Sequence, residues 1–215
     1  MKVRVVTFPG SNCDKDVGSV LKDYFQAEVK YTWYKESFDD VPDLVVLPGG
    51  FSFGDYLRCG AMAKFSASME SVVQYANKGG KVLGVCNGFQ ILTESGLLPG
   101  ALLHNRTLKY ICKDVELVPV KENIFAKNFQ SNLSIPIAHG EGAYFADGET
   151  LERLEKNGQV VFRYEENPNG SLHDIAGICN EKGNVLGMMP HPERAMNPFT
   201  GKMDGKQILE ALLKN

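Results

Sequence analysis

Residues 81–93 run Lys81-Val82-Leu83-Gly84-Val85-Cys86-Asn87-Gly88-Phe89-Gln90-Ile91-Leu92-Thr93. Lys81–Val85 is a short apolar run of the kind buried on both faces of a parallel sheet. Asn87–Thr93 carries helical spacing. Between them stands Gly84-Val85-Cys86-Asn87-Gly88, a G-x-nucleophile-x-G elbow with cysteine in the nucleophile position. The turn is so tight that β-carbons two residues before and after the nucleophile would collide, and glycine removes both. The nucleophile is then held in a strained backbone conformation that lifts its sulfur off the sheet edge. It also stands at a helix N-terminus, where unpaired N–H groups and the positive dipole end favour thiolate over thiol. The alternative is a plain tight turn with an incidental cysteine; the strand before and the helix after favour the elbow.

Working outward, Val3–Phe8 is a β-branched strand stopped by Pro9-Gly10. Ser11, Asn12 and Asp14 offer N-cap oxygens to a helix through Val17, Val20, Leu21, Tyr24 and Phe25. Ala27–Trp33 alternates as a strand, and Leu44–Leu47 is a buried-type strand stopped by Pro48-Gly49-Gly50. Met62–Tyr75 is spaced as a helix. Strand and helix alternate, which predicts an α/β fold with a mostly parallel sheet covered on both faces. The second half differs. Arg106–Pro119, Leu133–Ile137, Gln159–Tyr164, Ile175–Cys179 and Val185–Met189 read as short strands, with turn signals at Asn167–Gly170 and Lys182–Asn184. They predict antiparallel additions to the core. Gln207–Leu213 closes as a helix.

The chain has 215 residues, a net charge of −3, 43% hydrophobic and 23% charged residues. This composition excludes a disordered chain and a coiled coil, and the length suits one domain over 1–215. The acidic balance argues against nucleic acid held by counterion release. The longest apolar runs, of about six residues, fall far short of the roughly 20 that span a bilayer. Met1–Phe8 runs straight into polar Ser11–Asp16, so no signal peptide is expected. The five cysteines, Cys13, Cys59, Cys86, Cys112 and Cys179, form no CxxC pair. Reduced thiols in a cytoplasmic protein are the economical expectation.

A cysteine nucleophile needs a base, and the base an orienter. His191 lies in Met189-Pro190-His191-Pro192-Glu193-Arg194, just past a strand. Between two prolines the loop is expected to be extended, which puts residues two apart on one side. Glu193 then fixes the His191 tautomer by accepting its N–H. Taken alone, the stretch equally suits a surface His-Pro turn with a solvated glutamate. Pro48-Gly49-Gly50-Phe51-Ser52-Phe53-Gly54-Asp55 follows Leu44–Leu47. The N–H of Gly50 or Phe51, with that of Asn87, suits an oxyanion hole. No P-loop and no G-x-G-x-x-G pattern occurs, which disfavours nucleotide binding by this chain.

A Gly-Gly loop, a cysteine elbow and then His-x-Glu, in that order, resembles the triad (class I) glutamine amidotransferases. The likeness covers the whole chain and implies a three-layer, flavodoxin-like α/β fold. It narrows through five stretches: Phe8–Asp14, Pro48–Arg58, Gly84–Gln90, Ala138–Gly142 and His191–Ala195. Together these resemble the glutaminase subunits that serve a ligase of de novo purine synthesis. The resemblance implies that Cys86 attacks the side-chain amide of glutamine. His191 acts as base and then protonates departing ammonia, and Glu193 orients His191. It implies substrate-binding roles for Gly49, Gln90, His139, Gly140 and Glu141. His139-Gly140-Glu141-Gly142 equally suits a β-turn with a buried histidine. Cys13 has no catalytic role in this reading.

The glutaminase reading uses all 215 residues. The resemblance therefore implies no cofactor or metal in this chain, with ATP and magnesium on a partner. The partners would be a small third subunit and a large synthetase subunit, with glutamine as substrate. The joint reaction would turn formylglycinamide ribonucleotide, glutamine and ATP into the amidine, glutamate, ADP and phosphate. Two other classes compete. A standalone cysteine hydrolase of the same fold would turn over without a partner. A catalytically dead scaffold would not need Cys86, His191 and Glu193 intact.

Overall fold

The structure, a computed structural model, describes residues 1–214. By its contacts the described chain divides into two compact units, residues 1–98 with 184–187, and residues 99–183 with those from 188 onward.

The first unit is built on β1 (Lys2–Thr7), β2 (Glu28–Trp33), β3 (Leu44–Leu47) and β4 (Val82–Val85). The pairs β1–β2, β1–β3 and β3–β4 are parallel, in register Val3↔Val29, Val5↔Val46 and Val46↔Leu83. With β11 (Val185–Met188) beside β4, the strand order is β2-β1-β3-β4-β11. That is the flavodoxin order 2-1-3-4-5, its fifth place filled by a late strand. In β3 and β4 every residue is buried. Successive side chains point to opposite faces, so both faces are covered, as the continuous apolar runs predict. Each buried Val or Leu contributes roughly 1.5–3 kcal/mol. One charge interrupts this core. Arg4 is buried in β1, hydrogen-bonded to Thr32 and Asp40, with its guanidinium 4.5 Å from the Phe38 ring centroid.

The helices of this unit are α1 (Asp14–Phe25), α2 (Ala67–Asn77) and α3 (Asn87–Glu94). None of Ser11, Asn12 or Asp14 caps α1. Cys13 stands at its N-cap and its side chain does not cap the helix, and Ser11 Oγ accepts from Phe8 N–H instead. α2 starts at Ala67 rather than Met62, because Ser66 Oγ accepts from Met69 N–H and caps it there.

The second unit carries antiparallel strands. β6 (Ile111–Pro119) pairs with β7 (Leu133–His139) and β9 (Val160–Tyr164), and β9 pairs with β10 (Ile175–Cys179). A separate pair, β5 (Ala101–His104) with β8 (Glu141–Phe145), was not expected from sequence. The strand expected from Arg106 starts only at Ile111. Residues 105–108 turn back instead, with Leu108 N–H on Asn105 O at 2.7 Å and Leu108 at φ 56°. Helix α4 (Gly148–Lys156), capped by Asp147, was also unforeseen. Helix α5 (Asp204–Lys214) is tied to β7 where Ser134 N–H donates to Asp204 Oδ2 at 2.8 Å.

Candidate active site

Cys86 follows β4 at the N-cap of α3, with φ 50° and ψ −107°. A non-glycine residue holds that conformation only when its surroundings impose it. Two glycines do so. A β-carbon on Gly84 would stand 2.7 Å from the Gly88 carbonyl carbon, and one on Gly88 would stand 2.0 Å from Leu47 O. The turn is therefore the strained elbow, and α3 packs its first residues directly on the end of β3. Cys86 is buried there.

The loops after β1 and β3 meet at the C-terminal edge of the first unit's strands. In open α/β sheets this edge, where the strand order reverses, is where ligands bind. Ser11 and Gly50 form an isolated bridge. Phe51 N–H donates to Gly10 O at 2.8 Å, Cys13 N–H to Gly49 O at 3.2 Å and Phe53 N–H to Pro9 O at 2.7 Å. Gly50 has φ 144°, and a β-carbon on it would meet Asn12 N at 2.6 Å, so glycine is required. The Phe53 ring anchors this loop, 5.1 Å from Tyr34 and 6.3 Å from Phe8 by ring centroids. Of the two oxyanion donors expected here, the Phe51 N–H is committed to Gly10, because the loop is stitched to its neighbour at that residue. Gly50 is left as the loop's candidate. Asn87, as the first residue of α3, has an N–H with no intrahelical acceptor.

The Asn87 side chain makes a link that sequence reasoning missed. Its Oδ1 accepts from Ser52 N–H at 3.1 Å, and its Nδ2 donates to Gln90 Oε1 at 2.9 Å. All three residues are buried. The link joins the loop after β3 to α3 and turns the Nε2 end of the Gln90 amide away from Asn87.

In the second unit, His191 and Glu193 are 2% and 5% exposed, and His191 Nδ1 lies 2.7 Å from Glu193 Oε1. A carboxylate only accepts, so Nδ1 carries the hydrogen and Nε2 presents the lone pair. The loop is not extended. Pro192–Arg194 forms one 3₁₀ turn, since Pro192 presets the backbone of its first residue. Two contacts hold it. His191 N–H donates to Pro136 O at 2.8 Å, and Gly205 N–H donates to Ala195 O at 3.0 Å. A β-carbon on Gly205 would stand 1.8 Å from Pro192 O, so α5 reaches this turn only through a glycine.

His139 ends β7 and is buried, its Nδ1 3.0 Å from Asn105 Oδ1. Burial first, and the neighbouring His191 charge second, push its pKa down to about 4. The Gly140 carbonyl accepts from Asn105 N–H at 2.9 Å. Glu141 Oε1 lies 3.3 Å from Nδ1 of the mostly exposed His104. Asn105 itself carried no sequence signal. All five cysteines are thiols, and Cys13, Cys59 and Cys179 are buried like Cys86 while Cys112 is exposed.

Residues 1–210 match the CobB/CobQ-like glutamine amidotransferase domain. The chain belongs to this family. This amidotransferase is also 54% identical over 220 residues to "Phosphoribosylformylglycinamidine synthase subunit PurQ" of Leptospira interrogans, in two strains, covering 99% of each chain. Among solved structures it resembles a chain of "Structure of PurLQS from Thermotoga maritima", with TM-score 0.89 and 42% identity over 99% of this chain and 97% of that one. Another glutamine amidotransferase of Thermotoga maritima shares the fold, with TM-score 0.62 at 18% identity over 100% of this chain and 89% of that one. Among the described residues, no helix is long and apolar enough to cross a membrane.

Proposed function

We propose that this chain is the glutaminase of a phosphoribosylformylglycinamidine synthase. The observation that carries the reading is the end-to-end likeness, at 54% identity, to a curated subunit of that synthase. The strained Cys86 and the His191–Glu193 pair supply the chemistry. Cys86 sulfur attacks the amide carbon of glutamine, and its proton passes to His191 Nε2. Gly50 and Asn87 N–H groups receive the oxyanion, each such donor being worth about 3 kcal/mol in the transition state. Collapse breaks the C–N bond, and His191 returns the proton to the leaving nitrogen, releasing ammonia and a glutamyl thioester. Water, deprotonated by His191, then attacks the thioester, giving glutamate and the regenerated thiol. Glu193 holds the tautomer and offsets the imidazolium charge. Gly49, Gln90, His139, Gly140 and Glu141 border the glutamine.

Ammonia freed in water is protonated and lost as a nucleophile, so the chain delivers it to a partner. That partner is a large synthetase subunit, which binds ATP, magnesium and formylglycinamide ribonucleotide and makes the amidine; a small third subunit completes the assembly. The likeness to a chain of the Thermotoga maritima PurLQS structure supports an assembly with other subunits of the synthase. The 215 residues work as one amidotransferase domain, placed in the cytoplasm with that pathway.

The test is amidine formation by the reconstituted complex with glutamine or with ammonia as nitrogen source. Cys86→Ala abolishes the glutamine-dependent reaction and leaves the ammonia-dependent one; loss of both overturns the catalytic role. Glutamate release by the chain alone is weak and rises with the synthetase subunit present. A robust rate that the partner leaves unchanged favours a standalone hydrolase.

A further inference from the structure

Asn105 lies outside every motif of the reaction, yet all its polar atoms are engaged. It is fully buried between β5 and β6. Its N–H donates to Gly140 O at 2.9 Å and its O accepts from Leu108 N–H at 2.7 Å. Its Nδ2 donates to Lys109 O at 2.8 Å and to His139 O at 2.9 Å. Its Oδ1 accepts from Gly142 N–H at 3.2 Å and faces His139 Nδ1 at 3.0 Å. These backbone groups fix which way the amide points. A flipped amide would set its oxygen against two carbonyls and its NH₂ against an N–H. The atom facing His139 Nδ1 is therefore an acceptor, and Nδ1 must donate.

The imidazole is pinned from a second side. A β-carbon on Gly142 would stand 2.3 Å from His139 Cε1, so the ring lies directly on the Gly142 backbone. Gly142 is held in turn, its carbonyl accepting from Asn169 Nδ2 at 2.9 Å. His139 Nε2 is buried and makes no hydrogen bond among the described residues.

We infer that Asn105 is a positioning residue that locks His139 as the neutral Nδ1–H tautomer, presenting a bare Nε2 acceptor beside His191. This rests on the proposed function, in which residues 139–141 border the glutamine. Two neighbouring imidazoles in this unit thus have different orienters. Glu193, a carboxylate, supports an imidazolium on His191. Asn105, a neutral amide, gives no such support, and burial keeps His139 uncharged at neutral pH. The proton in play belongs to His191, and His139 offers a lone pair that suits N–H donors and repels carboxylates.

The experiment is nitrogen-15 resonance of the full chain labelled in its histidine rings, with His139 assigned from its loss in His139→Gln. At pH 7 the wild type shows a protonated Nδ1 and a bare Nε2. An Nε2–H tautomer, an averaged pair or an imidazolium in the wild type overturns the inference, and this arm needs no variant at position 105. Asn105→Ser gives averaged tautomers, and Asn105→Asp gives an imidazolium at pH 7. In the reconstituted complex, Asn105→Ser raises KM for glutamine about tenfold, the equivalent of one buried hydrogen bond, and leaves ammonia-dependent synthesis unchanged. An unchanged KM with the tautomer lost overturns the positioning role. A wild-type complex with no glutamine-dependent synthesis overturns the proposed function instead, while the resonances still decide the tautomer.

Discussion

His191 Nδ1 and Glu193 Oε1 stand 2.7 Å apart, two residues apart in sequence and both nearly excluded from solvent. The pair is set by a single 3₁₀ turn, so neither side chain can drift without moving Pro192–Arg194. Glu193→Gln keeps the size but can offer an NH₂ to Nδ1, which permits the wrong tautomer and removes the charge facing the imidazolium. Glutamine-dependent amidine synthesis falls by roughly 10³- to 10⁴-fold in kcat, by analogy with the Asp-to-Asn change in a serine protease triad. Ammonia-dependent synthesis by the complex holds. A loss below tenfold would show that Glu193 does not orient the base.

The elbow makes a stability prediction with its own control. Gly88→Ala places a β-carbon 2.0 Å from Leu47 O, a backbone atom at the end of β3 that has no room to yield. The variant loses about 2–4 kcal/mol in urea unfolding. Gly148→Ala, at the first residue of α4, meets nothing within 4 Å. There alanine costs nothing, and the reduced freedom of the unfolded chain adds about 0.5–1 kcal/mol. Equal effects at the two glycines would remove the steric basis of the elbow.

Much of the first unit was legible because its signals are local. Leu44–Leu47 and Val82–Val85 are unbroken apolar runs ended by glycine or the elbow, and both are strands. The elbow at Cys86 is legible in its own spacing, whereas the His191–Glu193 stretch, taken alone, equally suits a surface turn. What escaped depends on distant partners or on dilute patterns. β5 and β8 are short, and only their mutual pairing defines them. α4 has just Leu151 and Leu154 buried among charges, so its apolar stripe is two residues wide. The extended loop expected at His191 yielded to Pro192 in the first position of a 3₁₀ turn. Asn105 and Gly205 matter through contacts with residues 34–37 and 10–13 positions away, at His139, Gly140, Gly142, Pro192 and Ala195. No pattern in their own neighbourhoods announces those contacts.

His139 makes stability depend on pH. Its pKa of about 4 in the folded chain lies below the ordinary 6.5, so between these values the unfolded chain binds more protons. The penalty is absent above pH 6.5 and grows as pH falls through that value toward 4. From pH 7 to pH 5 this group removes roughly 2 kcal/mol of stability. His139→Gln lacks the titration, so its urea midpoint declines less steeply over the same interval. Parallel declines in the two proteins would place the His139 titration at its unfolded value.

The Asn87 link separates two roles of one residue. Its backbone N–H is an oxyanion donor that any side chain preserves, whereas its amide joins Ser52 N–H to Gln90 Oε1. Asn87→Asp keeps the acceptor for Ser52 but loses the donor to Gln90. A carboxylate also repels Gln90 Oε1, so the Gln90 amide turns its Nε2 toward position 87 instead. If the Nε2 end of Gln90 faces glutamine, KM for glutamine rises about tenfold, the loss of one buried hydrogen bond. The kcat changes little, because the oxyanion donors and the triad are untouched. Asn87→Ala removes both halves of the link, freeing the loop after β3 as well, and lowers kcat together with raising KM. An Asn87→Asp variant with unchanged KM and reduced kcat would reverse the assignment, tying the side chain to the oxyanion loop rather than to Gln90.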